Sequence, residues 1–350
     1  MTTTLLAVAT AISLLGRAEA QQTALPQLAK TSAIFVASDS RAIALLEEQP
    51  TVTRRMVDQL VIAVTQQPDL GRAWRSLVTP ADRVGIKVST TGGRYFASHR
   101  GIVEAIVAGL SEAGVPRPRI LIWDRDADDL REAGFLPRFQ GCEVRSIDIP
   151  RGYDRQNPFN GGGLGRLIWG DVLFREKKRA LNDADELSST SFLASILTRD
   201  VTKIINVPVL ADEAGCGVSG ALYNVTVPNV DNWRRFTQVE GGLPSGIAEL
   251  YADPRIGPKV VLHIMDGLLA QYAGGPRFAP NYAFEHHTIY ASKDPVALDA
   301  TALRLIESWR KMAKLPPVGK RGEWLADAAE MGLGNFAEAQ ISLEQVTPAK

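Results

Sequence analysis

Three short apolar runs lead to residues able to do chemistry. Val84-Gly-Ile-Lys-Val88, Ile204 to Leu210 and Val260-Val-Leu-His-Ile-Met265 are rich in β-branched residues and too brief for typical helices, and with them come Lys87, Asn206 and Asp266. In an open parallel sheet, ligands occupy the crevice beyond the carboxyl ends of the strands, so polar groups there converge. An ammonium, an amide and a carboxylate in one crevice can hold a small anion and move protons on it. Each also has a plainer role open to it: Lys87 in a structural ion pair, Asn206 on loop backbone groups, Asp266 with Gly267 in a turn.

The stretch from Lys203 to Trp233 holds the densest polar set. Its apolar run gives way to Asp212, Glu213, Asn224, Asn229, Asp231 and Asn232, interrupted by Gly215, Gly217 and Gly220. Asp212, Glu213 and Asn224 are candidates for orienting a ligand. Upstream, Thr90-Thr-Gly-Gly-Arg94 joins a strand to a helix. There Gly92 and Gly93 would let N–H groups approach an anion, the helix presents its positive end, and Arg94 can add a bidentate contact; a tight turn with a solvent-facing arginine is the alternative. The loop is neither a Walker loop nor G-x-G-x-x-G, so it carries no nucleotide fingerprint.

In Ser292-Lys-Asp-Pro-Val-Ala-Leu-Asp299, Asp294 before Pro295 reads as a helix cap. Asp299 falls inside the apolar arc of that helix, with Val296, Leu303 and Ile306, where an ionised carboxylate needs a partner. Lys87 could supply it, either as a perturbed acid–base pair or as a structural one. Asp212, Glu213, Asp266 and Asp299 could also share a Mg²⁺ or Ca²⁺, a possible divalent cation with no sequence spacing to support it. His286-His287 lacks the i, i+4 spacing of a helical zinc pair, and alternation in a strand would point the two to opposite faces. His99 reads as a helix-start residue, and Gly217-Val-Ser-Gly220 is one residue short of a nucleophile elbow.

Strands and helices must alternate to bring these groups together, and the pattern predicts that they do. Strands are expected at Ala33–Ala37, Val84–Val88, Ile120–Trp123, around Val144 to Ile149, at Ile204–Leu210, Val260–Met265 and Thr288–Ala291, with an edge strand at Ile341–Val346. Helices are expected over 52–64, 68–78, around Ile102 to Leu110 up to Gly114, over 127–133 up to Gly134, and over 188–197, 295–310 and 323–331. Such alternation implies an α/β fold, a mostly parallel sheet with helices on both faces. Arg151 to Arg166, with Asn160-Gly-Gly-Gly163, reads as a glycine-rich insertion or flap that extends to about residue 187.

At 350 residues, with 39 basic and 39 acidic side chains, the chain can bury a large core and has no charge excess to suggest nucleic acid. A small-molecule partner is the expectation; oligomeric state is not legible. Cys142 and Cys216 are too few for a disulfide framework or an iron–sulfur cluster. Leu5 to Leu15 is an apolar segment of signal-peptide length and Ala18-Glu19-Ala20 fits a cleavage site, although Met1-Thr-Thr-Thr lacks the usual basic residues. Export is therefore expected, with residues 1–20 as signal peptide, 21–30 as linker and 31–350 as one domain.

Several blocks in register, Val84-Gly-Ile-Lys-Val88, Gly92-Gly-Arg-Tyr-Phe96, Ile122-Trp-Asp-Arg125, Lys203-Ile-Ile-Asn-Val-Pro-Val209, Asp266-Gly267 and Ser292 to Asp299, resemble the domain of unknown function 362 family from about Thr51 to Leu333. The resemblance implies an α/β domain common in exported bacterial proteins and brings no established activity. Some relatives carry a ferredoxin-like module that this chain lacks. Many have a lysine and a histidine after the strand and a lysine before the asparagine, where this chain has Ala211, Glu213 and Tyr223, which implies a divergent subfamily with a different ligand or none. The expectation is an exported periplasmic or secreted enzyme that binds a small anionic or carboxylate-bearing molecule. Lys87, Asp266 and Asp299 would be its catalytic groups and Gly92, Gly93, Arg94, Asn206, Asp212, Glu213 and Asn224 its binding groups; a non-catalytic ligand-binding or assembly factor is the alternative.

Overall fold

A computed structural model of the chain describes residues 30–147, 151–159, 191–237 and 245–347. The expected signal peptide and the linker up to residue 29, the glycine run at 160–163 with most of the flap, the start of the helix expected at 188 and Ile149 lie outside the described residues.

Among the described residues, eleven strands follow in chain order: β1 (Ser32–Ser38), β2 (Ile43–Ala44), β3 (Glu47–Glu48), β4 (Val84–Val88), β5 (Ile120–Asp124), β6 (Glu143–Ser146), β7 (Lys203–Val207), β8 (Val209–Ala211), β9 (Val260–Gln271), β10 (Ala283–Ser292) and β11 (Ile341–Gln345). All but the β2–β3 pair join one sheet in the order β11-β1-β10-β9-β7-β4-β5-β6, with β8 beside β9. Its pairings are parallel except for β1–β10 and β10–β9. From β4 the chain moves outward through β5 to β6, then returns to lay β7 on the other side of β4. The junction of β4 and β7 is thus the switch point where crevices open in such sheets.

Helices α1 (Pro50–Thr65), α2 (Leu70–Leu77), α3 (Arg100–Glu112) and α4 (Ala127–Glu132) cover one face, and α5 (Ala221–Thr226), α6 (Arg234–Thr237), α7 (Ser245–Ala252), α8 (Pro295–Met312) and α9 (Trp324–Glu330) the other. Alternation along the strands divides the core accordingly. Ile86, Ile122 and Ile205 join Met56, Leu60 and Ile106 on the first face, while Trp123, Ile204 and Met265 join Leu222, Leu250 and Leu298 on the second. The stripe expected for α3 is the buried one, and its chain reverses at Gly114, where φ is +94°.

Three elements differ from expectation. β9 does not end at Asp266-Gly267 but continues to Gln271, because β10 and β8 pair with it through those positions. Gly267 permits this, since a Cβ there would lie 2.8 Å from the Thr288 carbonyl oxygen. The helix expected over 188–197 is instead a π-helical turn at Ile196–Asp200, reached after 153–159 bridges antiparallel to 191–194. A bulge between Glu285 and Thr288 leaves His287 at φ 56°, so the two histidines do not simply alternate. Among the described residues, no helix is long and apolar enough to cross a membrane.

Candidate functional site

Register places four polar or amphipathic side chains in one row across the sheet. Lys87 of β4 lies opposite Trp123 of β5 and Asn206 of β7, and Asn206 opposite His263 of β9. Their neighbours Ile86, Ile122, Ile205 and Leu262 pack on the first face, so this row faces α5. Lys87 is 0% exposed. Its ammonium donates to Asp124 Oδ1 at 2.7 Å, to the Val88 carbonyl at 2.7 Å and to Asn224 Oδ1 at 3.1 Å. Burial pulls the Lys87 pKa down, and Asp124 opposes that pull.

Asp124 ends β5 and ties the row to the loops above. Its Oδ2 accepts from the Thr90 N–H and hydroxyl, each at 2.7 Å, and its Oδ1 also accepts from the Arg125 N–H at 2.8 Å. From Lys87 the donors run the other way through the core: Asn224 Nδ2 to Asn206 Oδ1 at 2.8 Å, then Asn206 Nδ2 to His263 Nδ1 at 3.1 Å. An ammonium only donates, and that fixes the sense of both amides. His263 therefore accepts at Nδ1 and carries its proton on Nε2, towards Tyr251 Oη at 3.2 Å. Burial lowers its pKa to about 3, so it is neutral.

Above the carboxyl ends of β4, β5, β8 and β9 opens a cleft of about 610 Å³. Asp124, Glu213 and Tyr223 line it as buried residues, at its base and inner wall, Thr91, Arg125, Asp129 and Trp233 as half-buried ones, and Asp126, Arg234, Gly274 and Arg277 as exposed ones at its rim. Arg234 sits over the Trp233 ring at 4.5 Å and Arg125 at 5.9 Å. Arg125 also donates to the Pro228 and Val230 carbonyls. Asp126 caps α4 by accepting from the Asp128 and Asp129 N–H groups. Burial, with Asp126 beside it, pushes Asp129 up to about 6 against the pull of Arg277.

The expected pairing of Lys87 with Asp299 is not made; β5 supplies Asp124 from the adjacent strand instead. Asp299 is buried, as its place on the apolar arc requires, and accepts from the Ala221 N–H at 2.5 Å and the Leu222 N–H at 2.9 Å, the first turn of α5. Asp266 lies elsewhere, accepting from the His99 N–H at 2.6 Å and meeting His99 Nδ1 at 2.7 Å. His99 does start α3, but with a partner: burial alone would lower its pKa, and Asp266 and Glu48 raise it overall.

Nor does the Gly92-Gly93-Arg94 loop form an anion cradle. The Gly93 N–H donates to the Thr90 carbonyl, Arg94 is exposed beside Tyr95, and the start of α3 is already occupied by Asp266 and by Glu48, which accepts from the Gly101 N–H at 2.8 Å. The four carboxylates proposed to share a cation are dispersed onto separate donors: Asp212 on the Gly275 N–H and Glu213 on the Gly215 and Cys216 N–H groups, with Asp266 and Asp299 as above. Among the described residues, no cluster of histidine, cysteine and carboxylate side chains suits a metal. Of the expected site residues, Glu213 lines the cleft and Lys87, Asn206 and Asn224 lie beneath its base. Asp124, Asp129, Arg125, Tyr223, Trp233 and Arg277 were missed. Asp124 had the same signal as Lys87, a polar residue closing an apolar strand; the rest sit in loops and helix ends without periodicity.

A family model described as a domain of unknown function (DUF362) matches residues 84–304. No curated protein matches the chain. Among solved structures, it is similar to a Thermotoga maritima protein determined by the Northeast Structural Genomics Consortium. That match has 12% identity and a TM-score of 0.35, and it covers 70% of this chain and 57% of the other, a little over half of that protein's length.

Proposed function

The chain belongs to the domain of unknown function (DUF362) family, and since that description carries no activity, we propose from the cleft that it is an exported enzyme acting on a small anionic, carboxylate- or phosphate-bearing molecule. One observation carries the reading: the cleft over the strand ends combines Arg125, Arg234 and Arg277 with Asp129, a carboxyl that titrates near neutrality. Guanidinium groups on the rim bind an anion, and a carboxyl of pKa about 6 can both take and return a proton. Lys87 and Asp124 are positioning residues. Their donors and acceptors are already filled, and they hold the Thr90 loop and the start of the Arg125 segment in place. Asp266 and Asp299 act in folding rather than in this cleft. Export rests on the signal-like residues 1–20, and mass spectrometry of material recovered outside the cytoplasm would show an N-terminus at Gln21.

The same filled base favours the second reading, a non-catalytic ligand-binding factor, because Lys87 and Asp124 are engaged with each other and with Thr90, Arg125 and Asn224. Calorimetric titration with oxalate and with sulfate tests the common part. Binding strengthens several-fold as pH falls from 7.5 to 5.5, since protonation of Asp129 removes a negative charge beside the anion. Asp129→Asn flattens that dependence and Arg277→Ala weakens binding at both pH values. Failure of either anion to bind would remove both readings. Native mass spectrometry of the purified protein then identifies the co-purifying molecule, whose conversion by wild type but not by Asp129→Asn separates enzyme from binder.

A further inference from the structure

The inner wall of the cleft differs from its rim in a way that narrows the ligand. Arg234 and Arg277 are exposed, whereas Glu213 is 2% and Tyr223 8% exposed. Both residues line the cleft, Glu213 from the glycine-rich stretch after β8 and Tyr223 from the first turn of α5. Burial, with Glu213 and Cys216 nearby, raises the Tyr223 pKa well above its ordinary value, so its hydroxyl is a neutral donor. No described residue takes a hydrogen bond from that hydroxyl. Glu213 is held by one oxygen, Oε2, which accepts from the Gly215 N–H at 2.6 Å and the Cys216 N–H at 2.8 Å. Besides the weak donor of the Cys216 thiol, its acceptor capacity is uncommitted.

Resting on the anion-cleft reading, we propose that Tyr223 and Glu213 recognise a hydroxyl group on the bound anion, so that the ligand is a small hydroxylated carboxylate or phosphate ester. A hydroxyl is a small group that accepts from a phenol O–H and donates to a carboxylate at once. A bare anionic oxygen has no hydrogen to offer and would leave the acceptors of Glu213 unfilled. The ligand is therefore oriented, with its anionic end at the arginine rim and its hydroxyl at the inner wall. A cleft of about 610 Å³ accommodates such a molecule.

Matched pairs of probes test this at pH 7.5: malate against succinate, and glycerol 3-phosphate against n-propyl phosphate, each by calorimetric titration. The hydroxylated member of each pair binds about tenfold more tightly or better, because a site built for a hydroxyl leaves buried polar groups unpaired when it is missing. Tyr223→Phe, whose unchanged melting temperature shows it folded, reduces that preference, read as the ratio of affinities within each pair, to about twofold or less. Equal affinities within the pairs in wild type, or a preference that survives Tyr223→Phe, would overturn the inference while leaving the anion cleft standing. No binding by any of the four would instead bring down the anion cleft and this inference with it.

Discussion

An ammonium group carries three N–H donors, and Lys87 uses all three inside the core, on Asp124, Asn224 and the Val88 carbonyl. Lys87→Met keeps most of the side-chain volume but strands the Asp124 charge, and urea unfolding should show a loss of about 3–5 kcal/mol. A loss under about 1 kcal/mol would mean that solvent already screens the pair. Asp299 gives a pH signature. Burial lifts its pKa from 3.8 to about 7 against the pull of the Leu222 and Ala221 N–H groups. Between those values the folded chain holds the proton that the unfolded chain has released. Its stabilising contribution is complete below about 3.8 and is lost as pH rises through about 7. Wild type should lose stability relative to Asp299→Asn between pH 4 and 8, by on the order of 4 kcal/mol. Parallel stability curves for the two proteins would rule this out.

α5 is a six-residue helix with little intrinsic stability, and its place depends on contacts at its start. Asp299 receives its first N–H groups, Asn206 donates to the Ala221 carbonyl at 2.8 Å and accepts from Asn224 Nδ2 at 2.8 Å, and Asn224 one turn on reaches Lys87. Gly220 makes room for this approach. A Cβ there would lie 2.0 Å from Asp299 Oδ1 and 2.5 Å from its carboxyl carbon, and a short buried side chain has little room to yield. Gly220→Ala should therefore cost about 1–3 kcal/mol in thermal unfolding, and it should perturb the binding of cleft ligands through Tyr223 on the same helix. A melting temperature equal to wild type would show that α5 can shift at no cost.

The region matched by the family model is not a folding unit by these contacts. Residues 84–304 omit β1 and α1, and they omit β11, which pairs with β1. β1 covers the edge of β10, and α1 sets Met56 and Leu60 against the first face of the sheet beside α3. A fragment of residues 84–304 exposes that edge and that apolar face together. It should be insoluble or lack a cooperative unfolding transition by circular dichroism, whereas residues 30–350 retain one. A soluble, cooperatively unfolding fragment would show the outer strands and α1 to be dispensable.

Most strands of the large sheet, the helices α1 to α4, α8 and α9, the caps at Asp294 and Gly114 and the burial of Asp299 were readable along the chain, whereas the short α5, α6 and α7 were not. They depend on periodicity and on neighbours within about one helical turn. β9 escaped that reading because cross-strand pairing with β10 and β8 outweighed the local turn chemistry of Asp266-Gly267. Partners were another matter. Lys87 had several carboxylates to choose from, and Asp124 prevailed because β5 lies beside β4 in the sheet, while α8 brings Asp299 to the start of α5. Strand order is a property of the whole assembled sheet, and side chains far apart in the chain learn their neighbours only when it forms.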